Sequence, residues 1–226
     1  MSSHSFSSIL YGVAEDQKVA TIAFKRPRHF NAIDPKLPGE IRAAVRLGNG
    51  DAKVHCIIIK GNGPGFCGGC DLNLTAEQGD VSKGFDPFID YQMMKEYTES
   101  YAELLRSHKP TIAQVHGAAV AGGSGIALSC DLVIMAEDAR IGYTPTRVWG
   151  CPRTAMWTYR LGPEKSKRML FTGDLVNGKE AESMDMVLKG GSLQSTRAYR
   201  PVSGRSDQDG PCEPAVDLEA SGQQYH

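Results

Sequence analysis

Residues 54–60 read Val-His-Cys-Ile-Ile-Ile-Lys and run straight into Gly61-Asn62-Gly63-Pro64-Gly65-Phe66-Cys67-Gly68-Gly69-Cys70-Asp71. The first segment is almost continuously apolar and rich in isoleucine. That is the pattern of a strand covered on both faces, as in parallel sheets joined by crossovers. The glycines after it allow close backbone approach and positive φ. Where such a loop opens a helix, its N–H groups and the helix dipole suit a negative charge.

The same arrangement recurs downstream. Thr111–Val115 is a short strand, and Gly117-Ala118-Ala119-Val120-Ala121-Gly122-Gly123-Ser124-Gly125 follows it. Two such loops side by side can aim two N–H donors at one developing oxyanion. The simpler alternative is that the glycines only make turns. Around these loops the sequence predicts strands at Val19–Phe24 and Asp131–Ala136 and helices at Glu40–Leu47, Tyr91–Ser107 and Ser124–Ser129. Further helices are expected at Thr154–Leu161 and Glu164–Phe171, divided by Gly162-Pro163, and at Lys179–Leu188. Alternating strands and helices define an α/β chain.

The composition narrows the function. The 226 residues carry 25 basic and 26 acidic side chains, a net charge of −1. A dedicated nucleic-acid binder carries a basic excess, so no nucleic-acid partner is expected. No apolar run nears the roughly 20 residues that span a bilayer, and Met1–Leu10 has neither the n- and h-regions of a signal peptide nor a transit-peptide Arg. A cytoplasmic protein without membrane attachment is therefore expected. The six cysteines are scattered, and Cys56 and Cys130 sit inside apolar runs, where a thiol acts as a small hydrophobe. Cys67 and Cys70 form a C-x-x-C without two further ligands at zinc spacing, so no metal site is expected. No phosphate-binding G-x-x-x-x-G-K-[ST] is present. Ser124 lacks the G-x-S-x-G setting of a nucleophile, because Ile126 holds the last position.

The C-terminal part differs. Residues 1–189 read as one α/β domain, whereas 190–226 are rich in Ser, Arg, Gly, Pro, Asp and Gln. That composition is expected of a poorly ordered tail, and a reading-frame shift in the coding DNA would explain the abrupt change.

Several motifs then combine: Arg26-Pro27 with Asn31-Ala32, the GxGxxFCxGxDL-type loop after the strand, Lys109-Pro110-Thr-Ile-Ala-x-Val-x-Gly117, the glycine cluster, Cys130-Asp131-Leu-Val-Ile-Met-Ala, Leu161-Gly162 and Leu170-x-Thr172-Gly173-Asp174. In this order they resemble the enoyl-CoA hydratase/isomerase (crotonase) superfamily, from about Ile9 to Leu188. The resemblance implies a crotonase-like spiral of β-β-α units with an acyl-CoA site, usually in a homotrimer or hexamer. It implies two backbone donors for a thioester oxygen, the N–H of Cys70 and the N–H of Gly122. It also places Arg26, Cys67, Gly68 and Asp71 toward the CoA moiety. Arg26 or Lys25 would then pair with a phosphate, or simply be a solvated charge. Coenzyme A would enter as part of the substrate, with no separate cofactor.

The sequence departs from that pattern where proton transfer is expected. The resemblance implies two glutamates, which in this chain fall at Gly125 and Pro145. Neither can transfer a side-chain proton. The aspartate nucleophile of a related dehalogenase would lie near Arg153. Substitutes for the glutamates are Tyr143 and Arg147 in the loop around Pro145, or Glu77 and Asp80 after the first glycine loop. His116, Asp131, Trp149 and Trp157 are read as structural. The expectation is a hydratase-like acyl-CoA-processing enzyme. The alternatives are a thioester hydrolase and a non-catalytic acyl-CoA-binding member.

Overall fold

The computed structural model describes residues 5–14, 18–72, 86–148, 150–152 and 154–191. Two sheets organise them. The larger contains β1 (Ile9–Ala14), β2 (Val19–Phe24), β3 (Cys56–Gly61), β4 (Thr111–Val115), β6 (Leu132–Ala136) and β9 (Lys189–Gly191), in that spatial order. The β1–β2 pair is antiparallel, and every later neighbour pairs in parallel. The smaller sheet has the order β5 (Ala118–Val120), β7 (Arg140–Gly142), β8 (Leu175–Asn177).

Helices among the described residues include α1 (Leu37–Gly50), α2 (Pro87–Leu105), α3 (Gly122–Ser129), α4 (Met156–Thr172) and α5 (Gly178–Ser183). The chain runs β4-β5-α3 and then β6-β7-α4, giving one strand to each sheet before each helix. This is the expected spiral of β-β-α units. The covered-strand reading of β3 also holds. Ile57 and Ile59 enter the main core under the helices, while Cys56 and Ile58 join Val19, Ile112 and Ile134 on the opposite face.

Three differences from the sequence reading have physical causes. β1 was not anticipated, because it is an edge strand with mixed exposure and a central Gly12. β5, β7 and β8 are three residues each, too short to show a period. The helix expected at Lys179–Leu188 ends at Ser183. Asp185 then takes a left-handed φ of 62°, and Leu188 N–H donates to Val133 O at 2.9 Å, turning the chain into β9. β9, the last described element, runs from Lys189 to Gly191. The rest of the expected tail lies outside the described residues. The Gly162-Pro163 break is present as a kink in α4, with Gly162 at φ 71° and ψ 173°.

Candidate functional site

β3 ends in the loop 61–71 and β4 in the loop 116–121, so neighbouring parallel strands deliver both glycine segments to one end of the sheet. Buried Asn31, at φ 52°, holds the first loop. Its Nδ2 donates to Asn62 O and Gly65 O, both at 2.8 Å, and its Oδ1 accepts from Arg26 N–H at 3.0 Å. His116 Nε2 lies 2.8 Å from Gly63 O, a contact between the two glycine segments.

The loops are then stitched together. Phe66 N–H donates to His116 O, Cys67 N–H to Ala118 O and Val120 N–H to Cys67 O, at 2.9–3.0 Å. On the other side, Ile33 N–H donates to Gly69 O at 2.7 Å and Asp71 N–H to Ile33 O at 3.0 Å. Cys70 is thereby pinned between two anchored neighbours. Gly69 has φ 99°, and a Cβ there would lie 2.8 Å from Ala121 Cβ and 3.5 Å from Gly122 N. Gly69 thus packs against the Ala121–Gly122 peptide.

Gly122 opens α3, so its N–H lies outside the intrahelical ladder. The residue before it, Ala121, has φ 54° and ψ −119°. Such a conformation in a non-glycine residue costs on the order of 1–3 kcal/mol and persists only where its surroundings hold it. Here Ala121 N–H donates to Gly142 O at 3.1 Å, and Ala121 O accepts from Gly125 N–H at 3.2 Å and Ser124 Oγ at 2.6 Å. The Ala121–Gly122 peptide is oriented before any ligand arrives. Ser124 is fully buried with its hydroxyl on that carbonyl, a structural and not a nucleophilic arrangement.

A sequence model of the enoyl-CoA hydratase/isomerase family matches residues 14–192. The chain belongs to that family. Over 84% of its length it superposes on an enoyl-CoA hydratase from Mycobacterium smegmatis, with TM-score 0.77 and 39% identity, covering 68% of that chain. An enoyl-CoA hydratase/isomerase from Xanthobacter autotrophicus Py2 superposes with TM-score 0.77 at 29% identity, covering 69% of that chain. A Mycobacterium tuberculosis relative, also carrying an enoyl-CoA hydratase name, is 31% identical over 207 residues. The match covers 81% of this chain but 63% of the relative.

In this hydratase/isomerase-family chain the two positions of interest flank the paired loops. Gly125 lies in α3, its open side against the ring of Tyr101 from α2. Pro145 lies in a short 3-10 turn, Thr144–Arg147, just after β7. β7 pairs beside β5 with Val120 opposite Gly142, so this turn leaves the sheet next to the N-terminus of α3. Two of the substitute polar groups have hydrogen-bond partners here. Tyr143 Oη donates to Cys151 O at 2.7 Å. Arg147 donates to Thr172 O at 2.9 Å and pairs with Asp174 at 3.0 Å, which holds it at the C-terminal end of α4. Glu77, Asp80, Trp149 and Arg153 lie outside the described residues.

The residues expected near CoA divide in two. Gly68 is exposed, and its N–H donates to Phe30 O at 2.9 Å. Arg26, Asp71 and Cys67 point into the fold. The Arg26 guanidinium donates to Asp71 Oδ2 and Ala32 O, both at 2.7 Å, and lies 3.5 Å from Asp34. It ties the first loop to the Asn31 segment. Lys25 Nζ donates to Phe6 O. Asp131 caps Thr111 as expected, accepting from its N–H and hydroxyl at 2.7 and 2.8 Å. Trp157 is buried packing.

Cys67 and Cys70 carry free thiols. Burial pushes the Cys67 thiol from an ordinary 9.0 up to about 12, and burial raises Cys130 likewise. The folded thiol keeps its proton while the unfolded chain gives its own up, so stability is expected to fall as pH rises from about 9 toward about 12. Denaturation of the Cys67→Ala variant should show a shallower alkaline slope. Near neutral pH, iodoacetamide should label exposed Cys151 and spare Cys56, Cys67 and Cys130; early labelling of Cys67 would contradict its burial.

Sequence reasoning missed Ala121 and Tyr101. An alanine inside a glycine cluster carries no signal of a left-handed φ. Tyr101 reads as one more apolar residue on the buried stripe of α2.

Proposed function

We propose that this chain binds an acyl-CoA thioester and holds its carbonyl oxygen between the N–H groups of Cys70 and Gly122. The reading is carried by one observation: Gly69 and Gly122 are packed backbone against backbone at the N-terminus of α3. Family membership supports the substrate class. Two N–H donors and a helix N-terminus stabilise negative charge on that oxygen when the thioester is enolised or attacked. Losing one such donor typically costs about 10²–10³ in rate.

The proton-transfer half of a hydratase has no carboxylate at Gly125 or Pro145. This favours a second reading, an acyl-CoA-binding member without hydration. Trimer or hexamer assembly and a cytoplasmic location belong to the same proposal. Among the described residues, no helix is long and apolar enough to cross a membrane.

The test is incubation of the protein with saturated and unsaturated CoA thioesters, followed by mass spectrometry and by calorimetric binding. Binding of thioesters without gain of water by the enoyl-CoA is the expected outcome. Hydration of the enoyl-CoA would show that another group does the work of the missing glutamates. Release of free CoA would assign a hydrolase. Failure to bind any thioester would overturn the proposal.

A further inference from the structure

One side chain from α2 reaches two of the three glycines in the first turn of α3, Gly122 and Gly125. Tyr101 is 4% exposed, and its hydroxyl donates to Gly122 O at 3.3 Å. A Cβ on Gly122 would lie 3.2 Å from the same hydroxyl. A Cβ on Gly125 would meet Tyr101 Cζ at 3.3 Å, Cε2 at 3.4 Å and Oη at 3.5 Å. Even one methyl group at residue 125 is therefore tight against the ring, and a longer side chain must displace it. The absent side chain and the tyrosine are complementary in shape.

We propose that Tyr101 is a positioning residue of the acyl-thioester site. Its ring occupies the volume that a side chain at residue 125 would need. Its hydroxyl fixes Gly122, the residue whose N–H is the second oxyanion donor. This rests on the acyl-thioester reading above. It extends that reading by explaining why the glycine is accommodated and why the donor stays in place without a glutamate.

Two experiments test it, the first without ligand. In a helix, Gly→Ala ordinarily stabilises by lowering the entropy of the unfolded chain. Gly125→Ala is instead expected to lower the melting temperature by about 2–6 °C. In a Tyr101→Leu background the same substitution should cost nothing or raise it. Equal effects in the two backgrounds would overturn the shared-volume claim.

The second experiment uses Tyr101→Phe, which keeps the ring and removes the hydroxyl. Affinities for butyryl-CoA and for S-butyl-CoA, its thioether lacking the carbonyl oxygen, are compared by titration calorimetry. The variant should lose about 5- to 10-fold for the thioester, the worth of one hydrogen bond, and less than about 2-fold for the thioether. Equal losses for both ligands would reduce Tyr101 to a structural residue, and no loss for either would remove the role of its hydroxyl. Should the unsubstituted protein fail to prefer thioester over thioether, the oxyanion reading itself falls and the positioning role with it. The melting-temperature coupling would still report separately on the packing.

Discussion

Replacing Gly123 by alanine should destabilise the protein by more than about 4 kcal/mol and abolish acyl-CoA binding. A Cβ at this buried position would fall inside the van der Waals envelope of the Cys67 carbonyl oxygen and lie 2.9 Å from both the carbonyl carbon and Cβ of Cys67. No side-chain rotation relieves the overlap, because most of what is struck is backbone. That backbone is the bridge from Cys67 to Ala119, with Cys67 O accepting from Val120 N–H at 3.0 Å. The second loop must move away from the first, separating the Cys70 and Gly122 peptides. The control is Gly39→Ala at an exposed position of α1, where a Cβ meets nothing within 4 Å. It should be neutral or stabilising by up to about 1 kcal/mol. Urea denaturation of the two variants measures the contrast, and equal stabilities would show that the loops are not packed as described.

Asp71→Ala should cost about 2–4 kcal/mol and weaken acyl-CoA affinity. Asp71 and Arg26 pair at 2.7 Å with side-chain exposures of 7% and 19%. Removing one member of a buried pair leaves the other charge poorly compensated, which typically costs about 3–5 kcal/mol. The residual exposure of Arg26 and its nearness to Asp34 lower that figure here. The loss also frees the segment just after Cys70, so the Cys70 N–H would wander. An informative comparison is Asp174→Ala, which breaks the Arg147 pair with exposures of 56% and 48%. Exposed pairs contribute about 0–1 kcal/mol. Thermal denaturation that ranks the two variants equally would mean that the Arg26 network does not tie down the loop.

Much of the large sheet was legible because burial on two faces leaves a direct mark. Ile57 and Ile59 enter the main core and Ile58 the smaller buried cluster on the opposite face, so all three are apolar. The long helices carried their own period, and the Gly162-Pro163 kink its own breaker residues. The small sheet left no comparable mark. Its three-residue strands are fixed by neighbours distant in sequence, such as the Cys67–Ala119 bridge.

The candidate site divides in the same way. From its residues alone, the chain determined that two glycine loops follow two strands; the family resemblance implied that Gly125 and Pro145 stand where carboxylates were expected. Side-chain identity and spacing along a strand are local properties, and they survive in a linear string. Only the tertiary structure decided that Arg26 turns inward to Asp71, that Arg147 is drawn to Asp174, and that Ala121 takes a left-handed turn. Those outcomes depend on which partner is nearest once the strands are aligned. The space beside Gly125 is of this kind too, because it is filled by Tyr101 from another helix.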